Sequence, residues 1–149
     1  MTIKQVSVFI ENSPGTLAQA TRLLGDKGFD LLALSLADTA RFGILRCLAK
    51  RPGEAVDALN AAGFSARAAD VLAALVPDRP GGLAVVLEAL AAKRVGVEYC
   101  YSFARSIQTE NGSRAAIVLR VEDDKVDDAV DALNNAGVPM MSASMLDSL

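Results

Sequence analysis

The spacing of apolar residues in the first 70 positions switches between two periods. From residue 3 to residue 10 apolar and polar side chains alternate and many are β-branched, which is typical of a half-buried strand. Pro14 suits the first turn of a helix. The stripe that follows has the i, i+3, i+4, i+7 spacing of an amphipathic helix, formed by Leu17, Ala20, Thr21 and Leu24. Gly28 can adopt the left-handed conformation that ends such a helix.

The same switching of period continues to residue 69. It predicts a hairpin of strands 31–37 and 42–49 around the turn Asp38-Thr39-Ala40-Arg41, then a helix over residues 52–62 and a strand over residues 64–69. Nearly every position of the hairpin strands is apolar, and the helices can cover only one face of a sheet. We therefore expect the other face or the edge of this sheet to pack against the second module or another chain.

The sequence contains an internal repeat. The segment Asn12-Ser13-Pro14-Gly15-Thr16-Leu17 aligns with Asp78-Arg79-Pro80-Gly81-Gly82-Leu83, 66 residues further on. Residues 57–63 align with residues 131–137 at a separation of 74. The second copy therefore has eight extra residues. We expect them in the polar segment between about Phe103 and Ala116, which includes the turn signal Asn111-Gly112.

The second copy repeats the element order of the first. Its predicted elements are strand 72–76, helix 80–93, strand 97–104, strand 115–121, helix 124–136 and strand 140–145. Two βαβ units in series form a ferredoxin-like fold. The sequence thus predicts an α+β protein of two ferredoxin-like βαββαβ modules, residues 1–70 and 71–149, each with an antiparallel sheet and helices on one face.

The amino-acid composition excludes several kinds of catalytic and metal-binding site. The 149 residues are 52% hydrophobic and include no His and no Trp. Because His is the commonest general base near neutral pH and the commonest metal ligand, Ser-His-Asp, Cys-His and His-based metal sites are excluded. The net charge of −3, with Lys and Arg scattered along the chain, argues against a nucleic-acid ligand. We expect no metal and no cofactor.

The distribution of apolar residues also predicts where in the cell the protein is located. No stretch is long and apolar enough to span a membrane, and the N-terminus does not resemble a secretory signal. We therefore expect a soluble, cytoplasmic protein without membrane contact.

The two cysteines, Cys47 and Cys100, are too few to stabilise a chain of this size through disulfide bonds. Both lie in apolar runs, so we expect both to be buried free thiols.

The two Pro-Gly turns are the first candidate sites. Glycine permits a positive φ and a close approach of the backbone, and each turn leads into a helix N-terminus, where unpaired N–H groups favour a carboxylate or phosphate. A purely structural interpretation is also open: Asn12, Ser13 or Asp78 would be the N-cap of the helix, with Pro in its first turn. The repeat itself is compatible with both interpretations.

These turns carry a family resemblance. The segment from Glu11 to Leu17, with the Gly-containing helix exit Lys27-Gly28-Phe29-Asp30-Leu31, resembles the opening of ACT domains, which are small amino-acid-sensing modules. Residues 78–83, with 93–97, resemble a second one. Together they cover almost the whole chain, as in the stand-alone tandem ACT proteins of bacteria, some of which resemble acetolactate synthase regulatory subunits.

The resemblance implies binding of a free amino acid where two modules meet. The turn of one module and the start of the second strand of the other would hold it. Carried over by position, the implied ligand-binding residues are Asn12, Ser13, Pro14, Gly15, Leu17 and Asp30 in the first module, and Asp78, Arg79, Pro80, Gly81 and Leu83 in the second. Asp30 stands where the family often has Asn, and its second-module counterpart is Gly96. The two modules therefore differ in the polar side chains available to a ligand.

Further residues extend this candidate site. Ser35, Tyr99, Tyr101, Ser102 and Phe103 could line a side-chain pocket, or could be packing residues with hydroxyls at the rim. Arg46 and Arg120 align at the 74-residue offset, and either could clamp a carboxylate or form a surface ion pair. The acidic residues of the segment 122–131 surround the start of the last predicted helix, where negative charge interacts favourably with the helix dipole. Their spacing is not that of an EF-hand, which argues against a calcium site.

Two functions follow as hypotheses. The first is a non-catalytic, homodimeric sensor that binds a free amino acid and signals to a biosynthetic enzyme. The alternative is a ligand-free regulatory subunit that docks on such an enzyme through its apolar sheet. Catalysis is disfavoured because Ser13, Ser35 and Ser102 have no His and no well-placed Lys to activate them.

Overall fold

The chain divides into two compact units. This computed structural model describes residues 1–38, 41–110 and 112–149. One unit is Lys4–Ala69, called here the N-terminal unit. The C-terminal unit joins Met1–Ile3 to Asp70–Leu149. The module boundaries expected from the repeat, 1–70 and 71–149, remain a prediction.

Seven strands and five helices make up the described chain. In chain order they are β1 (Ile3–Glu11), α1 (Thr16–Asp26), β2 (Leu31–Asp38), β3 (Phe42–Ala49), α2 (Pro52–Ala61), β4 (Ser65–Pro77), α3 (Gly82–Ala92), β5 (Val97–Ser102), β6 (Ile107–Thr109), β7 (Gly112–Val121), a 3₁₀ turn (Asp123–Lys125), α4 (Val126–Asn135) and α5 (Ala143–Asp147). The predicted hairpin turn includes Thr39 and Ala40, and the predicted turn signal includes Asn111. These three residues lie outside the described ranges.

The N-terminal unit has the strand order β2-β3-β1-β4. β3 is antiparallel to both of its neighbours, and its register places Cys47 opposite Val6 and Leu45 opposite Val8. These side chains form one face of the sheet and pack with buried residues of α1 and α2, such as Leu24 and Leu59. Burying each of these leucines contributes about 1.5–3 kcal/mol. The core therefore lies between the sheet and its two helices.

The C-terminal unit repeats this arrangement with the order β4-β7-β5. Leu72 pairs with Leu119, and both belong to a core completed by α3 and α4 through Leu90 and Leu133. β6 pairs with the first residues of β7 and forms a hairpin with it. The expected α+β architecture, antiparallel sheets with helices on one face, is confirmed.

One connection between the copies differs from the prediction. The sequence pattern suggested two strands, over residues 64–69 and 72–76, but Ser65–Pro77 is one continuous strand. No Gly or Pro occurs between Ser65 and Val76 to interrupt the extended backbone. The strand that ends the first copy therefore also begins the second.

The predicted last strand, residues 140–145, is wrong. Only Met140 pairs, in a single bridge with Ala74. The following residues form α5, because the Ser142 hydroxyl accepts a hydrogen bond from the Met145 amide at 3.2 Å and caps the helix. This cap, followed by Ala143 and other helix-compatible residues, outweighs the apolar character that suggested a strand.

Strand pairing also corrects the location of the extra residues. Val6 pairs with Cys47, whereas Leu72, 66 positions after Val6, pairs with Leu119. The offset between the third strands of the two copies is therefore 72, not 74. Six extra residues lie between the second and third strands of the second copy. The other two lie in the 3₁₀ turn region before α4.

The same register separates the two arginines that the 74-residue offset had aligned. Ser35 pairs with Arg46, and its counterpart Tyr101 pairs with Val118. Arg46 therefore corresponds to Val118, and the alignment of Arg46 with Arg120 was wrong.

Arg120 forms ion pairs within the C-terminal unit. Its guanidinium donates to the Asp70 carbonyl at 2.7 Å, lies 2.6 Å from the Asp123 carboxylate and 3.4 Å from that of Glu98. Burial alone would lower the pKa of Arg120, but the hydrogen bond and the charges of Asp123 and Glu98 outweigh it and raise the pKa. Arg120 thus fits the ion-pair alternative of the sequence analysis.

Large apolar side chains of the N-terminal unit lie exposed. Leu34 and Leu36 on β2 are 52% and 47% exposed, and Phe9 and Phe42 are each 51% exposed. Phe9 pairs with Ile44, on the sheet face opposite the core positions. The prediction that helices leave part of this sheet uncovered agrees with these exposures.

The two thiols have different environments. Cys47 is fully buried, and burial raises the pKa of its thiol to about 12. Cys100 is exposed on β5, so the prediction that both thiols are buried was wrong for Cys100. β5 is the outermost strand in the order of the described strands.

In the described part of the chain, no helix has the length and apolar character that crossing a bilayer requires.

The Cys47 environment predicts a loss of stability in alkali. An unfolded Cys titrates near 8.5–9, whereas folded Cys47 keeps its proton to about pH 12. The folded state thus binds more protons in this window, and the free energy of unfolding should fall by up to about 1.4 kcal/mol per pH unit as the pH rises above about 9. Urea unfolding at pH 7, 9 and 10.5 measures this slope.

Cys47→Ala should have a shallower slope over the same pH range, although its smaller side chain lowers stability at every pH. Cys100→Ala is the matched control and should keep the slope of the unmodified protein. An identical slope in Cys47→Ala and in the unmodified protein would contradict the prediction.

Candidate functional site

The first Pro-Gly turn connects β1 to α1. Its backbone is fixed by hydrogen bonds from the Asn12 amide to the Arg41 carbonyl at 2.9 Å and from the Ser13 amide to the Glu11 carbonyl at 2.8 Å. Gly15 has a φ of +93°, a conformation that L residues with a side chain rarely adopt. This glycine lets the chain turn directly from the end of the strand into the helix.

The second turn connects β4 to α3 in the same way. The Arg79 amide donates to the Pro77 carbonyl at 2.9 Å, and Gly81 has a φ of +86°. The next residue, Gly82, is more tightly enclosed than its counterpart Thr16, because a Cβ at Gly82 would lie 2.3 Å from the Pro77 oxygen. Two successive glycines are therefore needed at the second turn.

Neither helix begins with the predicted side-chain cap. Gly15 and Gly81 occupy the N-cap positions, and no side chain caps either helix. The expectation that Asn12, Ser13 or Asp78 caps the helix, with Pro as first helical residue, was wrong. The first N–H groups of an α-helix have no intrahelical acceptor, and the helix dipole favours an anion beside them.

The first turn borders a cavity of ≈130 Å³, called here the first cavity. Apolar side chains of β1, α1 and β2 form one part of its lining and polar residues of the turn form the other. The lining residues are Ile10, Glu11, Asn12, Ser13, Leu17, Leu36 and Gly43. A Cβ at Gly43 would approach the Ala37 oxygen and the Leu36 side chain to 3.2 Å, so a side chain at this position would be crowded.

The second turn borders a cavity of ≈200 Å³, called here the second cavity. Its lining is more polar and comes largely from the segment after β5. The lining residues are Asp78, Ser102, Phe103, Ala104, Arg105, Ser106, Ala115 and Ala116. The Ser106 hydroxyl donates to the Asp78 carboxylate at 2.7 Å. Both cavities are smaller than the roughly 300–1,000 Å³ of sites for drug-sized ligands and suit a small molecule.

The structure brings only some of the predicted site residues together. Asn12, Ser13 and Leu17 line the first cavity, and Asp78, Ser102 and Phe103 line the second. Pro14, Gly15, Pro80 and Gly81 shape the turns, and Leu83 is 39% exposed at the start of α3.

Asp30 lies far from the turn of its own unit. It precedes Leu31, which pairs with Ala49 at one end of the β2–β3 hairpin, whereas Asp38 pairs with Gly43 at the cavity end. About seven residues of strand, roughly 23 Å, separate these ends. A shared role for Asp30 and a turn therefore requires a turn from another module, and it remains a prediction.

Ser35, Tyr99 and Tyr101 lie on the sheet faces opposite the cores. Ser35 pairs with Arg46, between the core positions Leu45 and Cys47. Tyr99 and Tyr101 pair with Arg120 and Val118, which flank Leu119 in the same way. Their proposed role in lining a pocket stays a prediction.

Sequence reasoning missed several cavity residues. Leu36 could have been found, because it lies 66 positions before Ser102, which was predicted. Ser106 belongs to the inserted segment, which has no counterpart in the first copy, so the repeat carried no signal for it. Among the described residues, no three His, Cys, Asp or Glu side chains cluster as they would to hold a metal ion.

Comparisons with known proteins agree with this fold. The sequence model of the ACT domain pair matches residues 1–135. The crystal structure of protein BT0572 from Bacteroides thetaiotaomicron has 37% sequence identity and a TM-score of 0.86, over 100% of this chain and 98% of that chain. No curated protein matches the sequence.

Two regulatory subunits of aspartate kinase share the fold. The subunit from Thermus thermophilus, in its ligand-free form, has 17% identity and a TM-score of 0.60, over 89% of this chain and 91% of that chain. The subunit from Thermus flavus has 19% identity and a TM-score of 0.57, over 90% and 92%. The match across residues 1–135 and the 37% identical structure show that the chain belongs to the ACT domain pair family.

Proposed function

We propose that this ACT domain pair is a non-catalytic regulatory protein that binds a free amino acid at an interface between ACT modules. The observation that supports it is the repeated geometry in which a glycine turn, a helix N-terminus and a small cavity occur together in both units. Its place is in amino-acid metabolism, where it would signal to a biosynthetic enzyme in the cytoplasm.

The chemistry of the cavities matches both charges of an amino acid. The carboxylate suits the N-terminal ends of α1 and α3, where the helix dipole stabilises an anion. The ammonium suits the carboxylates beside the turns, Glu11 in the first cavity and Asp78 in the second. No metal or cofactor is required to balance these charges.

A second candidate function is a ligand-free subunit that docks on a biosynthetic enzyme. The exposed Phe9 and Phe42, on the sheet face opposite the core, and Leu34 and Leu36 on the outermost strand β2 favour it, because exposed apolar surface marks contact sites. A titration with amino acids separates the two functions.

Thermal unfolding in the presence of each of the twenty amino acids tests the sensor function. At a concentration tenfold above its Kd, a ligand that binds only the folded state adds about 1.4 kcal/mol of stability. For a chain of this size we expect Tm to rise by about 3–6 °C with at least one amino acid. An unchanged Tm with all twenty at 20 mM would contradict the sensor function and favour the ligand-free subunit.

Gly15→Val and Gly81→Val should each abolish binding at their own turn. Valine at a positive φ is strained, and the backbone must shift to relieve that strain, which displaces the amides beside the cavity. Calorimetric titration with the stabilising amino acid measures the effect.

Gly28→Val is the matched control for these variants. Gly28 has a φ of +77° but follows the other end of α1, about 16 Å from the first turn. It should lose stability and keep its affinity. Unchanged affinity in both turn variants would remove the turns from the site.

We also propose that the protein is a homodimer. The exposed apolar residues of the N-terminal unit would be covered by a second copy. Light scattering coupled to size exclusion should give about twice 15.6 kDa at micromolar concentration. A mass of one chain throughout this range would contradict the proposal.

A further inference from the structure

We infer that the six-residue insertion of the second copy completes the second cavity, and that Ser106 positions the Asp78 carboxylate for the ammonium group of the ligand. This inference rests on the proposed function. It goes further because it assigns amino-acid selectivity to the second cavity and names a positioning residue from a segment that the first copy lacks.

The location of the insertion supports the first step. The register of the strands places the six extra residues between β5 and β7. The four residues that follow β5, Phe103 to Ser106, all line the second cavity. In the first copy β2 ends at Asp38 and β3 begins at Phe42, which leaves no room for an equivalent segment. The insertion therefore forms part of the cavity lining that only the second copy has.

The Ser106–Asp78 hydrogen bond supports the second step. Asp78 corresponds to Asn12 in the first copy, so a charged carboxylate replaces a neutral amide at this position of the turn. The Ser106 hydroxyl donates to one Asp78 oxygen at 2.7 Å. A carboxylate can accept about four hydrogen bonds, so this contact fixes its orientation and leaves capacity for an ammonium donor.

The segment that carries Ser106 is anchored on both sides. Before it, the Phe103 amide donates to the Ala116 carbonyl at 3.0 Å. After it, Ile107 is 7% exposed and pairs with Arg114 in the β6–β7 hairpin. A hydroxyl held in this way meets the carboxylate without a large loss of conformational entropy on ligand binding.

The test compares two probes on the full chain. One is the amino acid that stabilises the protein most, and the other is its 2-hydroxy acid, which keeps the carboxylate and side chain but has a hydroxyl in place of the ammonium. We expect the unmodified protein to prefer the amino acid, and Asp78→Asn to reduce this preference by about tenfold to a hundredfold, since a charged hydrogen bond is lost.

Ser106→Ala should reduce the preference by about threefold to tenfold, and Ser106→Thr, which keeps the hydroxyl, should restore most of it. Ser113→Ala, on the same hairpin, is the matched control and should keep the preference of the unmodified protein. A merely structural effect would weaken both probes equally and leave their ratio unchanged.

The outcomes separate the two levels of inference. Binding of the amino acid with an unchanged ratio in Asp78→Asn and Ser106→Ala, or an equal fall in Ser113→Ala, would overturn the positioning role while the proposed function stands. If the unmodified protein binds neither probe nor any amino acid, the proposed function fails and this inference fails with it.

Discussion

The geometry of both cavities depends on one backbone constraint, the positive φ at the junction between a strand and a helix. Gly15 and Gly81 hold φ values of +93° and +86°, which residues with a side chain rarely reach. Because the turn is this tight, the residues that follow the strand lie close to the N-terminus of the helix, and Asn12 and Asp78 border the two cavities. Without the glycine, a longer connection would separate the helix N-terminus from Asn12 or Asp78.

The two turns share their backbone geometry, and the cavities differ at Asn12 and Asp78 within the turns and at residues on and after the second strand of each copy. At the position where the first cavity has Leu36, the second has Ser102, and the second adds residues from the insertion. An apolar edge-strand side chain favours a ligand with an apolar group, whereas Ser102, Ser106 and Asp78 favour hydrogen-bonding groups. Under the proposed function, the duplicated scaffold would supply a common site for a carboxylate, and the sequence differences around it, Asp78 included, would decide what else is bound.

The repeat and the periodicity predicted most of the fold. Strand and helix patterns are local, and the 66-residue offset can be found by aligning the sequence with itself, so neither requires knowledge of tertiary contacts. They missed the glycine caps, since a cap without a side chain leaves no polar signal. Local patterns also failed at Ser142, where one hydroxyl decides between strand and helix, and at Cys100, because exposure depends on which strand is outermost. The division of the insertion into six and two residues required the register, which depends on contacts distant in sequence.

Under the proposed function, the position of the cavities would link ligand binding to assembly. Each cavity lies beside an outermost strand, Leu36 on β2 in one unit and Ser102 on β5 in the other. An outermost strand has unpaired backbone groups, and those of β2 are accompanied by the exposed Leu34. A partner that covers such an edge also encloses the cavity beside it, which excludes water and strengthens the charged contacts inside. By thermodynamic linkage, a ligand that binds more tightly to the enclosed cavity must stabilise the assembled state by the same factor, and this coupling is a physical means of sensing.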